Sequence, residues 1–174
     1  MVAGKTSEDD VKFIEDEVAL ASYLASRDDS GRPVRTRLQT SDRVIARVTD
    51  GIYREPASAL RELISNAWDA DATTVTILTD APRFSRIYVR DDGNGMSHET
   101  LLHLIKNIGG SAKRSQKGEG LGVTGPDSDT SPGGRQLIGK IGIGLFSVSQ
   151  LSRRFRIITK VAGADYRLIA EISL

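Results

Sequence analysis

The sequence predicts an α+β domain in which helices cover one face of a sheet. The elements follow the order helices, two strands, helix, loop, helix, two strands, and each pair of strands is adjacent in the chain. A length of 174 residues suits one compact domain with a substantial core and is short for two. These observations favour an antiparallel α+β architecture.

Composition excludes several classes of protein. Hydrophobic residues make up 39% and charged residues 27%, as in ordinary globular proteins, and no apolar stretch approaches the roughly 18 residues of a spanning helix. The N-terminus lacks the apolar run of a secretory signal, and without cysteine there is no disulfide framework or thiolate metal site. We therefore expect a cytoplasmic protein with no membrane partner. The net charge of +1 gives no overall attraction to nucleic acid.

Residues 1–40 are interpreted as an N-terminal extension or arm. The segment VKFIEDEVALASYLAS, residues 11–26, has the pattern of an amphipathic helix, with Phe13, Val18, Leu20 and Leu24 on one side, and a turn-rich break follows it. One hypothesis is that this arm is exchanged between the two copies of a homodimer.

Two further helices are predicted before the first strand. The segment SDRVIARVTDGI begins with Ser41 as an N-cap and predicts a helix over residues 41–52. Pro56 suits the first turn of the next helix, which should end near Asp69. Its apolar face would consist of Leu60, Leu63, Ile64 and Ala67.

The remaining elements follow from short β-rich runs and cap signals. Strands are predicted at 75–78 and 87–90, Ser97 should cap a helix over 98–108, and a polar loop covers 109–134. The segment IGKIGIGLFSVSQL is a glycine-spaced turn that leads into an apolar helix, and RFRIITKV and YRLIAEISL form a final hairpin.

The second helix carries a polar column beside its apolar face. Glu62, Asn66 and Asp69 are four and three residues apart, so they project from one side of the helix. One interpretation is a solvated face of an amphipathic helix. The other is chemical, because an amide oxygen suits Mg²⁺ and a carboxylate can orient or deprotonate a water that attacks a phosphoryl group.

Two glycine-rich segments are candidates for binding a nucleotide. The turn DDGNGM follows a strand and would leave Asp91 buried, where the amino group of an adenine would satisfy its carboxylate; an ordinary β-turn is the alternative. In GKIGIG, Gly139, Gly142 and Gly144 precede a helix and would expose backbone N–H groups to phosphate. Such loops are common, and the chain has no P-loop motif.

The combination of these motifs is more specific than any one of them. Glu-x-x-x-Asn-x-x-Asp on a helix, Asp-x-Gly-x-Gly after a strand and Gly-x-x-Gly-x-Gly before a helix, in this order, resemble the GHKL ATPase superfamily. That superfamily includes type II topoisomerases, ninety-kilodalton heat-shock chaperones, sensor histidine kinases and MutL-type ATPases. The resemblance runs from about residue 41 to 160, and the motif sequences are most similar to those of the chaperone and microrchidia-like members.

The resemblance implies a role for each matching residue. Glu62 would be the general base, Asn66 would hold Mg²⁺, and Asp91 would accept a hydrogen bond from the adenine amino group. Lys113 would reach a phosphate from a lid over about residues 107–138. The implied ATP-binding set is Asn66, Asp69, Asp91, Gly93, Gly95, Met96, Asn107, Ser111, Lys113, Gly139, Gly142, Gly144 and Leu145.

The implied fold is the Bergerat fold, a two-layer α/β sandwich with a mixed, mostly antiparallel sheet and helices on one face. Residues 41–174 would form the ATP-binding domain, and we expect it to continue beyond Leu174 in a larger multidomain protein. The expected function is Mg²⁺-dependent binding and hydrolysis of ATP, with a homodimer formed through the lid or the arm. The alternatives are an ATP-sensing module for dimerisation, a histidine-kinase ATP lobe, and an α+β interaction domain.

Overall fold

The computed structural model describes residues 11–26, 32–38, 56–106, 124–125, 129–138, 148 and 151–173. These contain three helices, α1 (Glu17–Ala25), α2 (Pro56–Asp69) and α3 (His98–Lys106). They also contain six strands, β1 (Lys12–Phe13), β2 (Val34–Arg35), β3 (Val75–Thr79), β4 (Ile87–Asp91), β5 (Arg154–Thr159) and β6 (Leu168–Ser173). The α+β class is confirmed. The helices predicted at 41–52 and after Gly144 lie outside the described residues.

The strands form three pairs. β1 and β2 are parallel, whereas β3 with β4 and β5 with β6 are antiparallel hairpins, so both predicted hairpins are confirmed. In the first hairpin Val75 lies opposite Asp91, and in the second Arg154 lies opposite Ser173. Within the described residues each pair hydrogen-bonds only internally, and the union of the hairpins in one sheet stays a prediction.

The N-terminal helix is shorter than the sequence predicts. α1 begins at Glu17, because Asp16 caps it by accepting the N–H of Ala19 at 2.7 Å. The preceding residues are extended, and the N–H of Ile14 donates to the carbonyl of Arg35 at 2.8 Å. The prediction of helix from residue 11 was therefore wrong, since a long-range strand pairing competes for these residues.

The buried side of α1 also differs from the prediction. Leu20 is buried, and it forms a hydrophobic cluster with Ile14 and with Leu102 of α3. Phe13 and Val18, which were assigned to the same side as Leu20, are exposed. The side chain of Lys106 also reaches the N-terminal segment, where its ammonium group donates to the carbonyl of Glu15 at 2.9 Å.

α2 has the predicted limits, and its buried face matches the prediction except at Ile64. Ala59 and Ala67 are buried, whereas Ile64, which was predicted to face the core, is 43% exposed. Two hydrogen bonds end the helix. The N–H of Asp71 donates to the carbonyl of Trp68, and the N–H of Ala72 donates to the carbonyl of Ala67. This pattern is a Schellman motif, which requires a left-handed residue just after the helix.

α3 begins as the sequence predicts. The hydroxyl of Ser97 accepts the N–H of Thr100 at 3.2 Å, and its carbonyl accepts the N–H of Leu101 at 2.9 Å. Leu101 and Leu102 are buried. None of the helices in the described part of the chain is long and apolar enough to cross a membrane.

Candidate functional site

The polar column of α2 lies at the border between core and surface. Glu62 and Asn66 are half-buried, and Asp69 is only 3% exposed. The Glu62 carboxylate makes no hydrogen bond or ion pair with any other described residue. A half-buried carboxylate that no described group engages is suited to bind a water molecule.

Asp69 connects α2 to the segment that precedes the second glycine motif. Its Oδ1 accepts the backbone N–H of Ile138 at 2.9 Å. Ile138 is followed directly by Gly139, the first glycine of that motif. The last turn of α2 therefore contacts the residue that directly precedes the predicted phosphate loop in the sequence.

The turn after β4 presents Asp91 differently from the prediction. Asp91 is exposed, not buried, because it is the last residue of a hairpin strand. Its Oδ1 accepts the N–H of Gly93 at 3.0 Å. Among the described residues no donor reaches Oδ2, so this oxygen is available as an acceptor there.

Both predicted glycines of this turn are required by close backbone packing. A Cβ atom at Gly93 would lie 2.8 Å from the carbonyl oxygen of Ala70, just after α2. Gly95 has φ 71°, and a Cβ there would lie 2.1 Å from the carbonyl oxygen of Lys160. The N–H of Met96 donates to the Thr159 hydroxyl at 2.8 Å. The turn is thus fixed between the end of α2 and the end of β5.

Replacing Gly95 by alanine is expected to destabilise the fold by about 2–5 kcal/mol. The left-handed φ costs about 1–2 kcal/mol for a residue with a Cβ, and the overlap with Lys160 adds about 1–3 kcal/mol of overpacking. Urea unfolding measures the loss. Gly163→Ala is a matched control, since Gly163 has φ 78° but no heavy atom lies within 4 Å of the position that its Cβ would take.

The contradicting result would be equal stability losses in the two alanine variants. That outcome would mean that only the backbone angle matters, and that the turn does not pack against Lys160 in solution.

Two further polar residues hold the turn. Asp92 accepts the side-chain O–H of Thr73 at 2.6 Å and the backbone N–H groups of Thr73 and Thr74. The hydrogen bond from the Thr73 side chain, followed by that from the Thr74 backbone, lowers the pKa of Asp92 to about 2. The N–H of Asn94 donates to the carbonyl of Ala70 at 2.8 Å.

The sequence reasoning missed two residues of this region. Thr159 is buried and receives the Met96 N–H; its position on the same side of β5 as Phe155 and Ile157 was a readable signal, because a polar residue there faces inward. Asp71 was missed as well. Its carboxylate accepts from the Asn94 side chain and from two residues more than 50 positions away.

The other predicted site residues lie outside the described part of the chain: Asn107, Ser111, Lys113, Gly139, Gly142, Gly144 and Leu145. Within the described residues there is no cluster of three or more His, Asp or Glu side chains that could hold a metal ion. A single amide ligand such as Asn66 is compatible with that observation, because Mg²⁺ keeps several waters and binds substrate phosphates.

Comparison with known proteins gives a matching family, and the relatives include endoplasmin and MutL proteins. Residues 53–172 match the model of the Histidine kinase-, DNA gyrase B-, and HSP90-like ATPase family. An endoplasmin homolog from Leishmania donovani is 28% identical over 172 residues, covering 85% of this chain and 21% of the relative. A DNA mismatch repair protein MutL from Rhodopseudomonas palustris is 41% identical over 70 residues, covering 40% of this chain and 11% of the relative.

A MutL protein from Halobacterium salinarum is 35% identical over 86 residues, covering 48% of this chain and 13% of the relative. The chain thus spans about a fifth or less of the length of these relatives. No solved structure matches it. The family match covers more than half of the chain and includes α2, the turn after β4 and the second glycine motif. The chain therefore belongs to the family of histidine kinase-, DNA gyrase B- and HSP90-like ATPases, the superfamily that its motifs resemble.

Proposed function

We propose that this chain is an ATP-binding domain that binds Mg²⁺-ATP and hydrolyses it. The observation that supports the proposal is that the end of α2 contacts both the turn after β4 and Ile138, the residue that directly precedes the second glycine motif in the sequence. The last turn of the helix contacts the segment before Gly139 through Asp69 and Ile138. Just beyond it, the carbonyl of Ala70 accepts the N–H of Asn94, in the turn after β4.

The turn after β4 is the proposed adenine end of the site. Asp91 offers an exposed carboxylate oxygen as an acceptor for the exocyclic amino group of adenine. The absence of side chains at Gly93 and Gly95 lets the backbone approach closely, and Met96 completes the wall beside Thr159. These contacts support a flat-ligand pocket that is preorganised by the protein itself.

The polar column of α2 is the proposed metal and water end. Asn66 would provide an amide oxygen to the magnesium ion, which in such sites neutralises phosphate charge. Glu62 is half-buried and unengaged by other described residues, so it can hold a water molecule and accept its proton. Asp69 accepts a hydrogen bond from the N–H of Ile138, which fixes its position, and it would lie beside the ribose and adenine.

The remaining roles rest on the family motifs. Gly139, Gly142 and Gly144 would donate backbone N–H groups to the β- and γ-phosphates, and Leu145 would begin the helix behind them. Asn107, Ser111 and Lys113 would belong to a lid over about residues 107–138. In this proposal the hairpins and helices complete a two-layer Bergerat sandwich.

Assembly and location belong to the proposal too. Residues 1–40 form an arm, residues 41–174 form the ATP-binding domain of a larger protein, and two copies pair through the arm or the lid. The packing of Ile14 and Leu20 on Leu102 of α3 supports a specific role for the arm, since α3 directly precedes the proposed lid. A cytoplasmic location is part of the same proposal.

Calorimetric titration of ATP into the wild-type chain tests the proposed function. Saturable binding that is weakened at least about tenfold by replacing Mg²⁺ with a chelator is expected, because the metal offsets the repulsion of the phosphates in the site. GTP serves as a control, since its base presents an oxygen where adenine presents an amino group. Equal binding of ATP and GTP, or no binding of either, would contradict the proposal.

A further inference from the structure

Asp71 occupies a backbone position that normally favours glycine. It is the left-handed residue of the Schellman motif that ends α2, and its φ is 63°. Aspartate tolerates this left-handed region better than most residues, yet it is strained there in a way that glycine is not. A side chain is present here despite that backbone strain, which raises the question of what the carboxylate contacts.

The Asp71 carboxylate uses both of its oxygens for donors from two distant segments. Oδ1 accepts a hydrogen bond from the hydroxyl of Ser131. Oδ2 accepts the N–H of Gly133 and the side-chain amide of Asn94, each at 2.8 Å. Burial alone raises the pKa of Asp71, but the hydrogen bonds from Ser131, Gly133 and Asn94 outweigh it and lower the pKa below its ordinary value. The ionised carboxylate is therefore the form that the site stabilises.

The segment that Asp71 contacts is held along the end of α2 by further side chains. The guanidinium group of Arg135 lies 4.8 Å from the Trp68 ring and donates to the carbonyl of Ala72 at 2.6 Å. The indole N–H of Trp68 donates to the carbonyl of Gln136 at 3.0 Å. The hydroxyl of Ser131 also accepts the N–H of Arg135 at 2.9 Å. Residues 131–138 thus form one connected strip on α2.

Close packing at Gly133 shows how tightly the strip is fitted. A Cβ atom at Gly133 would lie 2.6 Å from Oδ1 of Asp71, so only glycine lets the backbone come this near the carboxylate. The strip ends at Ile138, which Asp69 holds, and the second glycine motif follows at Gly139. The other partner of Asp71, Asn94, lies inside the first glycine motif.

We propose that Asp71 is a positioning residue that joins residues 131–138 to the turn of residues 91–96 and so fixes the spacing between the adenine end and the phosphate end of the site. This inference rests on the proposed ATP-binding function. In this proposal Asp71 acts through the protein, because both of its oxygens accept hydrogen bonds from protein donors. Its effect on nucleotide is transmitted through Asn94, Ser131 and Gly133.

The turn of residues 91–96 has anchors that do not involve Asp71. The N–H of Asn94 donates to Ala70, Asp92 is bound by Thr73 and Thr74, and Met96 is bound by Thr159. Removal of the Asp71 carboxylate should therefore leave the adenine end formed while releasing the strip. Adenosine needs only the adenine end, whereas ATP needs both ends at the correct distance.

The test compares Asp71→Gly with the wild-type chain in two measurements. Glycine keeps the left-handed backbone without strain, so the variant should fold. Without nucleotide, hydrogen exchange of the Gly133 and Arg135 amides should be at least about tenfold faster in the variant, because the Gly133 N–H donates to Asp71 and the Arg135 N–H donates to Ser131, which Asp71 binds. Calorimetry should show ATP binding weakened about tenfold or more, with adenosine binding changed less than about threefold.

Two other variants control the comparison. Asp71→Asn keeps the size and the left-handed tolerance but loses one acceptor, so its ATP affinity should fall between those of wild type and Asp71→Gly. Asp80→Asn changes a carboxylate of the β3–β4 hairpin that hydrogen-bonds only with Ser85 and Arg86 among the described residues. It should change neither the exchange of the strip nor the ratio of ATP to adenosine affinity.

The outcomes separate this inference from the proposed function. Unchanged exchange at Gly133 and Arg135 in Asp71→Gly would overturn the connection itself, whatever ATP does. Equal losses of adenosine and ATP affinity would show a general loss of structure and would overturn the positioning role. A wild-type chain that binds no ATP would overturn the proposed function and the nucleotide part of this inference. The exchange measurement would still show whether Asp71 joins residues 131–138 to the turn of residues 91–96.

Discussion

Replacing Glu62 by alanine is expected to lower the rate of ATP hydrolysis by about 100-fold or more, with ATP affinity unchanged within about threefold. A positioned general base contributes roughly 10²–10⁴-fold to a rate. The carboxylate is half-buried on α2, and no other described residue binds it, so its removal should leave the neighbouring contacts of Asp69 intact. Steady-state phosphate release and calorimetric ATP binding measure the two effects separately.

Two variants sharpen this test. Glu62→Gln keeps the volume and one acceptor oxygen but is a very weak base, so it should lose nearly as much activity as alanine. Arg61→Ala changes the adjacent, exposed residue of the same helix, which points to another side. It should retain wild-type turnover, and a loss equal to that of Glu62→Ala would indicate a disturbed helix.

The Glu62 experiment also separates the enzyme from the sensor. If the wild-type chain binds ATP but Glu62→Ala changes no rate, Glu62 is not the base. If neither protein shows turnover, even within the full-length protein, the domain is better described as an ATP-sensing module whose closure drives assembly. Transfer of phosphate to a protein histidine would instead support a kinase lobe.

Among the described residues, local signals in the sequence were sufficient for most element boundaries. Ser97 predicted the start of α3 because a cap acts on an N–H only three residues away. Pro56 predicted the start of α2 for a similar reason, since its ring suits the first turn. The two hairpins were predictable because their strands are adjacent in the chain and rich in β-branched residues.

Long-range contacts explain the failures. The segment before Asp16 has a helical pattern, but the pairing of Ile14 with Arg35 requires a strand that the local sequence does not reveal. Ile64 matches the helical apolar period and is nevertheless exposed, because the buried face of α2 follows its partners in space. Periodicity specifies that a helix has an apolar stripe, and the tertiary fold decides which residues are covered.

Asp71 illustrates the same limit within the candidate site. The sequence DADA offers Asp69 and Asp71 two residues apart, and a helical pattern identifies only the first as part of the polar column. The partners of Asp71 lie 23 to 62 positions away, and no local rule links them. The available clue was an aspartate directly after a helix end, where glycine is the usual residue.

Replacing Asp91 by asparagine is expected to weaken ATP binding by about 100-fold or more while preserving the fold. Asparagine can keep the acceptor that binds the Gly93 N–H, since Oδ1 remains an oxygen. The other oxygen becomes an NH₂ group, so a donor would then face the donor amino group of adenine. A site built to hydrogen-bond one group discriminates strongly when that pairing is lost. Calorimetry with ATP measures the loss.

A matched ligand distinguishes this mechanism from a general effect of charge. A purine triphosphate without the exocyclic amino group cannot donate to Asp91, so it should bind wild type and Asp91→Asn with similar, weak affinity. The coupling between the mutation and the amino group then isolates this single contact. Asp165→Asn removes the same charge from an exposed residue between β5 and β6 and should leave ATP affinity unchanged.

The opposite pattern would mean that adenine does not bind Asp91 directly. If Asp91→Asn weakened both ligands equally, the exposed Asp91 would act through the shape of the turn and not through a direct bond to adenine. Its exposure makes this comparison decisive, because an exposed carboxylate is hydrated in the free protein and gains little from binding unless the pocket excludes that water. A large, amino-dependent loss would therefore also mean that the pocket around Asp91 is closed to solvent when nucleotide is bound.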